Sequence, residues 1–414
     1  MTEASQALYV GADRFDAETP ARAGAAALAQ LAAHAPDDAS FGAAMGIADA
    51  GLAAAVRGRV IAKLGRLPVE ELRVDFEDGY GVHPDVEEDA VAARVGAQLV
   101  RLAGDPAAPS LGVRLKPLGP ETRERSARTL DALLTAVARE AEASGTLPPA
   151  LVVCVAKVSL PEQTAFAARR LDGLERGLGL PSGWARLEPM IEQPQAVLAP
   201  DGRVAVPEIV AAGAGRVHAV QFGVYDYTAS CGIPASHQHL RHPVCDVARH
   251  LVQMALAGTG VRLVDGSTAQ LPLAPEGADA GEARAAVHAG WRRHADDVRH
   301  SLAHGWYQGC DLHPTQLPSR YAALFAFYLD GLDASAARLA RFLAKAEQAT
   351  VVGAQFDDAA TVQGLLAYFA RAVHSGAVEA EAVRASAGLT DADLSDPVLA
   401  RVLARRKGGT IADG

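Results

Sequence analysis

The feature that most limits how this chain can fold is a series of short apolar, β-branched runs separated by longer helical stretches. Ala7-Leu-Tyr-Val10 opens it. Leu72-Arg-Val-Asp-Phe-Glu-Asp78 begins as an alternating strand and ends in acids, and Leu111-Gly-Val-Arg-Leu115 stops at Lys116-Pro117. Leu151–Val158 is almost unbroken in its apolarity, as expected of a strand covered on both faces. Arg186–Glu192, Val217–Val224, Val261–Asp265 and Gly309–His313 complete the set of eight. Between them lie Ala-, Arg- and Leu-rich segments of helical period, among them Glu121–Glu142, Pro161–Leu178, His242–Ala257 and Gly281–His304. Strands alternating with helices at this spacing specify parallel βαβ units. Eight such strands close a TIM (β/α)8 barrel, with an open doubly wound sheet as the alternative; the chain has no GxGxxG turn to support a dinucleotide-binding open sheet.

Two regions break the rhythm. Gly11–Glu70 is too long for one crossover, so residues 14–70 read as a helical hairpin or insertion. Beyond Pro318 the pattern is helical only, from Tyr321 to Gln348 and from Ala359 to His374, with a hinge or loop at Ala349–Gln355. The expected organisation is a barrel over residues 1–318 that carries the insertion, followed by a C-terminal helical region over 319–414.

Composition narrows the partners. The net charge of −10 argues against a nucleic-acid binder, whose phosphate contacts need clustered Lys and Arg. No apolar stretch approaches the roughly 20 residues of a membrane span. The start has no basic cluster followed by an apolar core, so no signal peptide is expected. Cys154, Cys231, Cys245 and Cys310 lie far apart without zinc-site spacing and read as reduced thiols of a cytoplasmic protein.

In parallel α/β folds the active site lies at the C-terminal ends of the strands. The polar residues there are Asp75, Glu77 and Asp78, then Arg114 and Lys116, Lys157, Glu192 with Gln195, Asp226 with Tyr227 and Thr228, Asp265, and His313. Several acids and an arginine on one rim, without a Cys/His cluster, suit a hard divalent cation, and Mg²⁺ takes only one or two protein carboxylates. Glu192 and Asp226, on adjacent strands, are the expected pair. A cation with open positions can chelate a 2-oxo acid and stabilise its enolate, and the planar fork of Arg114 can hold a carboxylate or the enolate oxygen. Plainer roles compete with each assignment. A strand-end carboxylate is often a helix cap, Arg114 can be a buried salt-bridge partner of the acids, and Lys157 suits a strand cap better than a Schiff base. His313-Pro314 also reads as a turn, and His237, His239 and His242 have metal-like spacing in a loop rather than on a helix.

The ordered motifs Asp75-Phe-Glu-Asp78, Val113-Arg-Leu115, Ala156-Lys-Val158, Met190-Ile-Glu192, Phe222-Gly-Val-Tyr-Asp226-Tyr-Thr and Leu312-His-Pro-Thr-Gln316 resemble those of the citrate lyase β-subunit-like (CitE-like) and HpcH/HpaI aldolase superfamily, from about Ala7 to Ala370. The resemblance implies a TIM barrel of the phosphoenolpyruvate/pyruvate type with extra C-terminal helices. It also implies Mg²⁺ or Mn²⁺ at Glu192 and Asp226, and Arg114 over the substrate. Asp75, Glu77, Asp78, Gln195, Tyr227, Thr228 and His313 are the expected substrate contacts. Gly353-Ala-Gln-Phe-Asp357 resembles the C-terminal Gly-x-Met-Ile-Asp stretch of CitE-like enzymes, which makes Asp357 a candidate base, with Asp358 as the register alternative. Lys116-Pro117 departs from the Asn usual after the arginine, and the His-rich loop and long first crossover mark a divergent branch. Three functions follow from the resemblance. They are a carbon–carbon lyase or aldolase acting through the enolate of a small 2-oxo acid, a CoA-thioester lyase or malate-synthase-like condensing enzyme, and a non-catalytic lyase subunit or ligand-binding barrel. A homo-oligomer is expected in each case.

Overall fold

The computed structural model describes residues 4–348 and 359–406. Eight parallel strands close a barrel in sequence order: β1 (Gln6–Gly11), β2 (Glu71–Asp75), β3 (Ser110–Leu115), β4 (Leu151–Val155), β5 (Ala185–Ile191), β6 (Ala219–Phe222), β7 (Arg262–Asp265) and β8 (Gln308–Asp311). β8 returns to pair with β1 through Ala7↔Cys310 and Leu8↔Asp311. All eight expected strands are present, and the closed barrel replaces the open-sheet alternative.

Strand alternation divides the strand residues between two layers. Leu72, Val74, Leu111, Val113, Leu151 and Val153 are fully or almost fully buried in the main apolar cluster. The other face points into the barrel and is polar at its floor. Arg73, without exposed surface, donates from Nη2 to Glu71 at 2.5 Å and to Glu188 of β5 at 3.0 Å. Glu71 also accepts from Gln308 at 2.9 Å and from Arg262 at 3.1 Å. Gly112 leaves the room Arg73 occupies, since a Cβ there would stand 2.9 Å from Arg73 Cδ.

The long first crossover, expected as a helical hairpin or insertion, holds three helices: Thr19–His34, Asp38–Met45 and Ala50–Arg66. Asp37 caps the second by accepting from the Ser40 N–H at 2.8 Å, and Asp49 caps the third through Leu52 at 2.7 Å. The third packs on Leu317–Leu329, a helix buried on nearly every side. The expected helix over Tyr321–Gln348 is broken at Gly331, whose φ of +73° ends one helix before Leu332–Gln348 begins. Leu332–Gln348 and Ala359–His374 pack together with the shorter helices Ala380–Ala387 and Leu399–Arg406. Ala359–His374 in turn meets Leu317–Leu329, where Tyr368 donates to the Tyr328 carbonyl at 2.5 Å. No single helix among the described residues is long and apolar enough to cross a membrane.

Candidate active site

At the C-terminal mouth of the barrel lies a cavity of about 310 Å³, lined among others by Tyr9, Arg14, Arg114, Glu192, Asp226 and Ser267. Its chemistry follows from strand register. Asp75 and Arg114 are paired neighbours on β2 and β3, which sets their side chains side by side in the barrel. Arg114 grips Asp75 with two parallel hydrogen bonds, Nε to Oδ1 at 2.7 Å and Nη2 to Oδ2 at 2.5 Å. The same carboxylate accepts from the backbone N–H groups of Glu77 at 2.9 Å and Gly79 at 2.7 Å. Asp75 is therefore saturated: it orients the arginine and folds the turn rather than reaching for a ligand. The close approach requires Gly79, where a Cβ would lie 2.5 Å from Asp75 Oδ2. Arg114 Nη1 is not spent on Asp75; it stands 3.4 Å from Glu77, while the guanidinium lies over the Tyr9 ring, 5.2 Å from its centre.

Lys157 links the two sides of the mouth. Its backbone takes the left-handed conformation, φ +52°, rare for a residue with a side chain. The turn is held by the Lys157 N–H, which donates to Glu192 Oε1 at 2.6 Å. Its ammonium donates to Glu77 at 2.6 Å and stands 3.1 Å from Asp226 Oδ2. Burial opposes its charge, but Glu77, Glu192 and Asp78 outweigh that and raise the pKa above the ordinary lysine value. An ammonium so held does not supply the neutral amine of a Schiff base. Burial likewise works against Glu77, yet Arg114, the Asp78 side chain and Lys157 hold it below the usual glutamate value. Asp78, at the open edge, is pushed up to about 6 by desolvation and by Glu77.

Glu192 follows β5 and Asp226 lies in the first turn of the helix Val224–Ser230 that follows β6. Glu192 is 3% exposed, and its Oε2 accepts no hydrogen bond from the described residues. Burial lifts its carboxyl to about 7, with the Asp226 charge adding to the lift and Lys157 opposing it. Gly223 lets the two strand ends close, because a Cβ there would sit 2.3 Å from Glu192 Oε2. Two carboxylates balanced by one ammonium, one of them buried with an oxygen to spare, form a hard donor set deficient in positive charge. That set fits a Mg²⁺-class ion, which keeps several of its own waters. No group of three His, Cys, Asp or Glu that could hold a metal is gathered among the described residues, so the His237–His242 loop builds no such centre. His242 instead caps the helix Pro243–Leu256 by accepting from the Val244 N–H at 3.2 Å.

Other expected site residues lie elsewhere. Gln195 is exposed on the short helix Pro194–Val197 and does not line the cavity. Tyr227 is buried against Phe222, with ring centres 5.2 Å apart. Thr228 has no exposed surface and spends its hydroxyl on the Val224 carbonyl at 2.8 Å, one turn back. Both face the core because in this helix Asp226 alone of the three points to the mouth. Lys116 turns outward to Glu88 and the Phe76 carbonyl, each at 2.7 Å, and Asp265 is held behind the barrel by Arg249 at 2.9 Å and Ser301 at 2.6 Å. His313 lines an adjoining cavity rather than this one. Asp357 and Asp358 lie outside the described residues. Sequence reasoning missed Tyr9 and Arg14, although Tyr9 lies on the inward face of β1 and Arg14 in the loop that follows it.

The closed ring of eight parallel strands surrounded by helices is a TIM (β/α)8 barrel. A solved citrate lyase from Burkholderia xenovorans LB400 matches with a TM-score of 0.55 at 17% identity, over 79% of this chain and 91% of that one. A Haloferax volcanii malate synthase, solved as a magnesium/glyoxylate complex, matches with a TM-score of 0.51 at 13% identity, over 98% of this chain and 95% of that one. The resemblance read from the motifs thus holds for the fold. No curated protein matches the chain. The chain belongs to the family described as a domain of unknown function, DUF6986, whose model matches residues 5–402.

Proposed function

We propose that this protein is a Mg²⁺-dependent enzyme that makes or breaks a carbon–carbon bond beside the carbonyl of a small 2-oxo acid. The observation that carries the reading is the opposition, across one cavity, of the Glu192–Asp226 pair and an Arg114 locked in place by Asp75. A cation held by Glu192 and Asp226 would serve as the Lewis acid for a chelating 2-oxo carboxylate. Arg114 directs its remaining N–H donors toward the oxygen on which enolate charge develops. Because Asp75 fixes the guanidinium beforehand, little reorganisation accompanies that step. In the lytic direction the substrate hydroxyl loses a proton, the carbon–carbon bond breaks, and its electrons pass to the 2-oxo group as the enolate. Asp78, pushed up to about 6 and not one of the two residues that would hold the cation, is a cavity group suited to exchange protons near neutral pH. A further reading, a condensing enzyme on a CoA thioester, draws on the malate synthase match, which runs through nearly the whole chain.

The test is turnover of EDTA-stripped protein with Mg²⁺ or Mn²⁺ against 4-hydroxy-2-oxo acids, and against glyoxylate with acetyl-CoA. Metal-dependent cleavage lost in Arg114→Lys supports the first reading. Condensation lost in Asp357→Asn supports the second. Turnover unchanged in Glu192→Gln would remove the metal pair from both.

A further inference from the structure

The main cavity does not end at the reaction centre. Between the first and last strand ends a second cavity of about 260 Å³ opens beside it and shares Tyr9, Arg14 and Leu312 with it. The two ends differ in chemistry. Glu77, Asp78, Glu192 and Asp226 crowd the reaction centre, whereas Arg14, Arg22 and His313 line the annex together with apolar side chains.

The donors in the annex are not equally committed. Arg22 is tied to Asp16 at 2.7 Å and to Thr19 at 3.2 Å. Among the described residues Arg14 has only a loose ion-pair contact with Asp13, at 3.8 Å, with both side chains more than half exposed, so solvent leaves that pair little strength. Its guanidinium lies beside the tight junction of the first loop with the second. A Cβ at Gly11 would meet the Gly79 carbonyl at 2.3 Å and Arg14 Nη2 at 3.1 Å. His313 Nδ1 accepts from the Thr315 N–H at 3.3 Å and pairs with the Thr315 hydroxyl at 2.8 Å. An accepting Nδ1 leaves the proton of the neutral ring on Nε2, which has no hydrogen-bond partner among the described residues, and His313 lines the annex. Burial and then the neighbouring Arg14 hold the imidazole below the ordinary histidine value.

We propose that the annex is an anion-binding subsite in which Arg14 and the Nε2–H of His313 receive an anionic group of the ligand. A second anion cannot rest among the carboxylates of the reaction centre, and Arg14 is the cation that borders both cavities. Taken with the function proposed above, on which this clause alone rests, the substrate carries a second anionic group: the distal carboxylate of a dicarboxylic oxo or hydroxy acid, or the phosphates of a CoA thioester.

The subsite is testable without metal or turnover. Inorganic phosphate is titrated calorimetrically into the full chain in EDTA, with Arg14→Gln, Arg14→Lys, His313→Ala and Glu192→Gln beside the wild type. Saturable binding is expected in the wild type and in Glu192→Gln, about tenfold weaker in Arg14→Gln, and largely kept in Arg14→Lys. Displacement of phosphate by oxaloacetate but not by pyruvate assigns the subsite to a distal carboxylate, and displacement by coenzyme A assigns it to phosphates. Phosphate bound equally well by Arg14→Gln, or not bound by folded wild type, overturns the subsite whether or not Glu192 and Asp226 take a metal.

Discussion

The barrel contains two charged clusters built from the same residue types, and they behave differently. At the floor, Arg73 lies between Glu71 and Glu188, and every oxygen of the two carboxylates is paired, to Arg73, Arg262 or Gln308. At the mouth, Asp75 is equally saturated, but Glu192 Oε2 and Asp226 Oδ1 accept nothing from the described residues, and both residues border a cavity. Burial alone does not separate the clusters, since Glu188 and Glu192 are 1% and 3% exposed. Unspent hydrogen-bonding capacity facing open space does. A closed network holds the barrel together, and an open one retains electrostatic free energy that a ligand can relieve.

Removing one member of each cluster breaks or sharpens this contrast. The largest effect belongs to the floor. Glu188→Ala leaves Arg73 charged in the barrel with half its partners gone and should cost roughly 3–5 kcal/mol in urea unfolding. A loss below about 1 kcal/mol would show that water reaches the floor and screens it.

Next comes Asp311, closed off behind the mouth by Arg320 at 2.9 Å and His294 at 3.0 Å. Burial alone would raise its carboxyl, yet Arg320 and His294 hold it down at about 2. A carboxyl whose pKa is lower folded than unfolded stabilises the fold above the unfolded value and loses that contribution as pH falls through the folded one. Stability should therefore drop by roughly 2–3 kcal/mol between about pH 4 and about pH 2, and less in Asp311→Asn.

Gly223→Ala comes third. The added Cβ meets Glu192 2.5 Å from its Cβ. The variant should fold with a loss of roughly 1–3 kcal/mol, as for other forced overpacking, and give no thermal shift with Mg²⁺.

The smallest effect on stability belongs to the mouth itself. Glu192 is held near pH 7 by burial and by Asp226, so an uncharged isostere relieves what the ion must endure. Glu192→Gln should melt within about 1 kcal/mol of the wild type or above it, as functional groups kept at the expense of stability do. A large drop in melting temperature would place Glu192 with the closed network.

The barrel was legible in the sequence because strand apolarity and helical period are local properties, and all eight strands lie where the runs are. That Glu192, Asp226 and Arg114 lie at the cavity was legible as well, since each is at or just beyond the C-terminal end of a strand, and chain direction sets which end of the barrel that is. What escaped depends on distance across the barrel. Nothing near Lys157 in sequence shows that its ammonium lies between Glu77 and Asp226, from two other strand ends. The assignment of Thr228 to the site failed for a local reason. In a helix that starts at Val224, Thr228 reaches back to the Val224 carbonyl, which faces it away from the mouth occupied by Asp226. Arg14 was overlooked because its role depends on a loop packing against the β2 loop, and only the glycine at position 11 hints at that close approach.

The most direct test is a thermal-shift series on EDTA-stripped protein with Mg²⁺ or Mn²⁺, alone and with pyruvate, oxaloacetate, glyoxylate or acetyl-CoA. A ligand that binds only the folded state raises its melting temperature. The open cluster at the mouth predicts a shift with the metal, a larger one with metal and a 2-oxo acid together, and neither in Glu192→Gln or Asp226→Asn. A folded wild type that does not respond to any combination, or variants that respond as the wild type does, would contradict it.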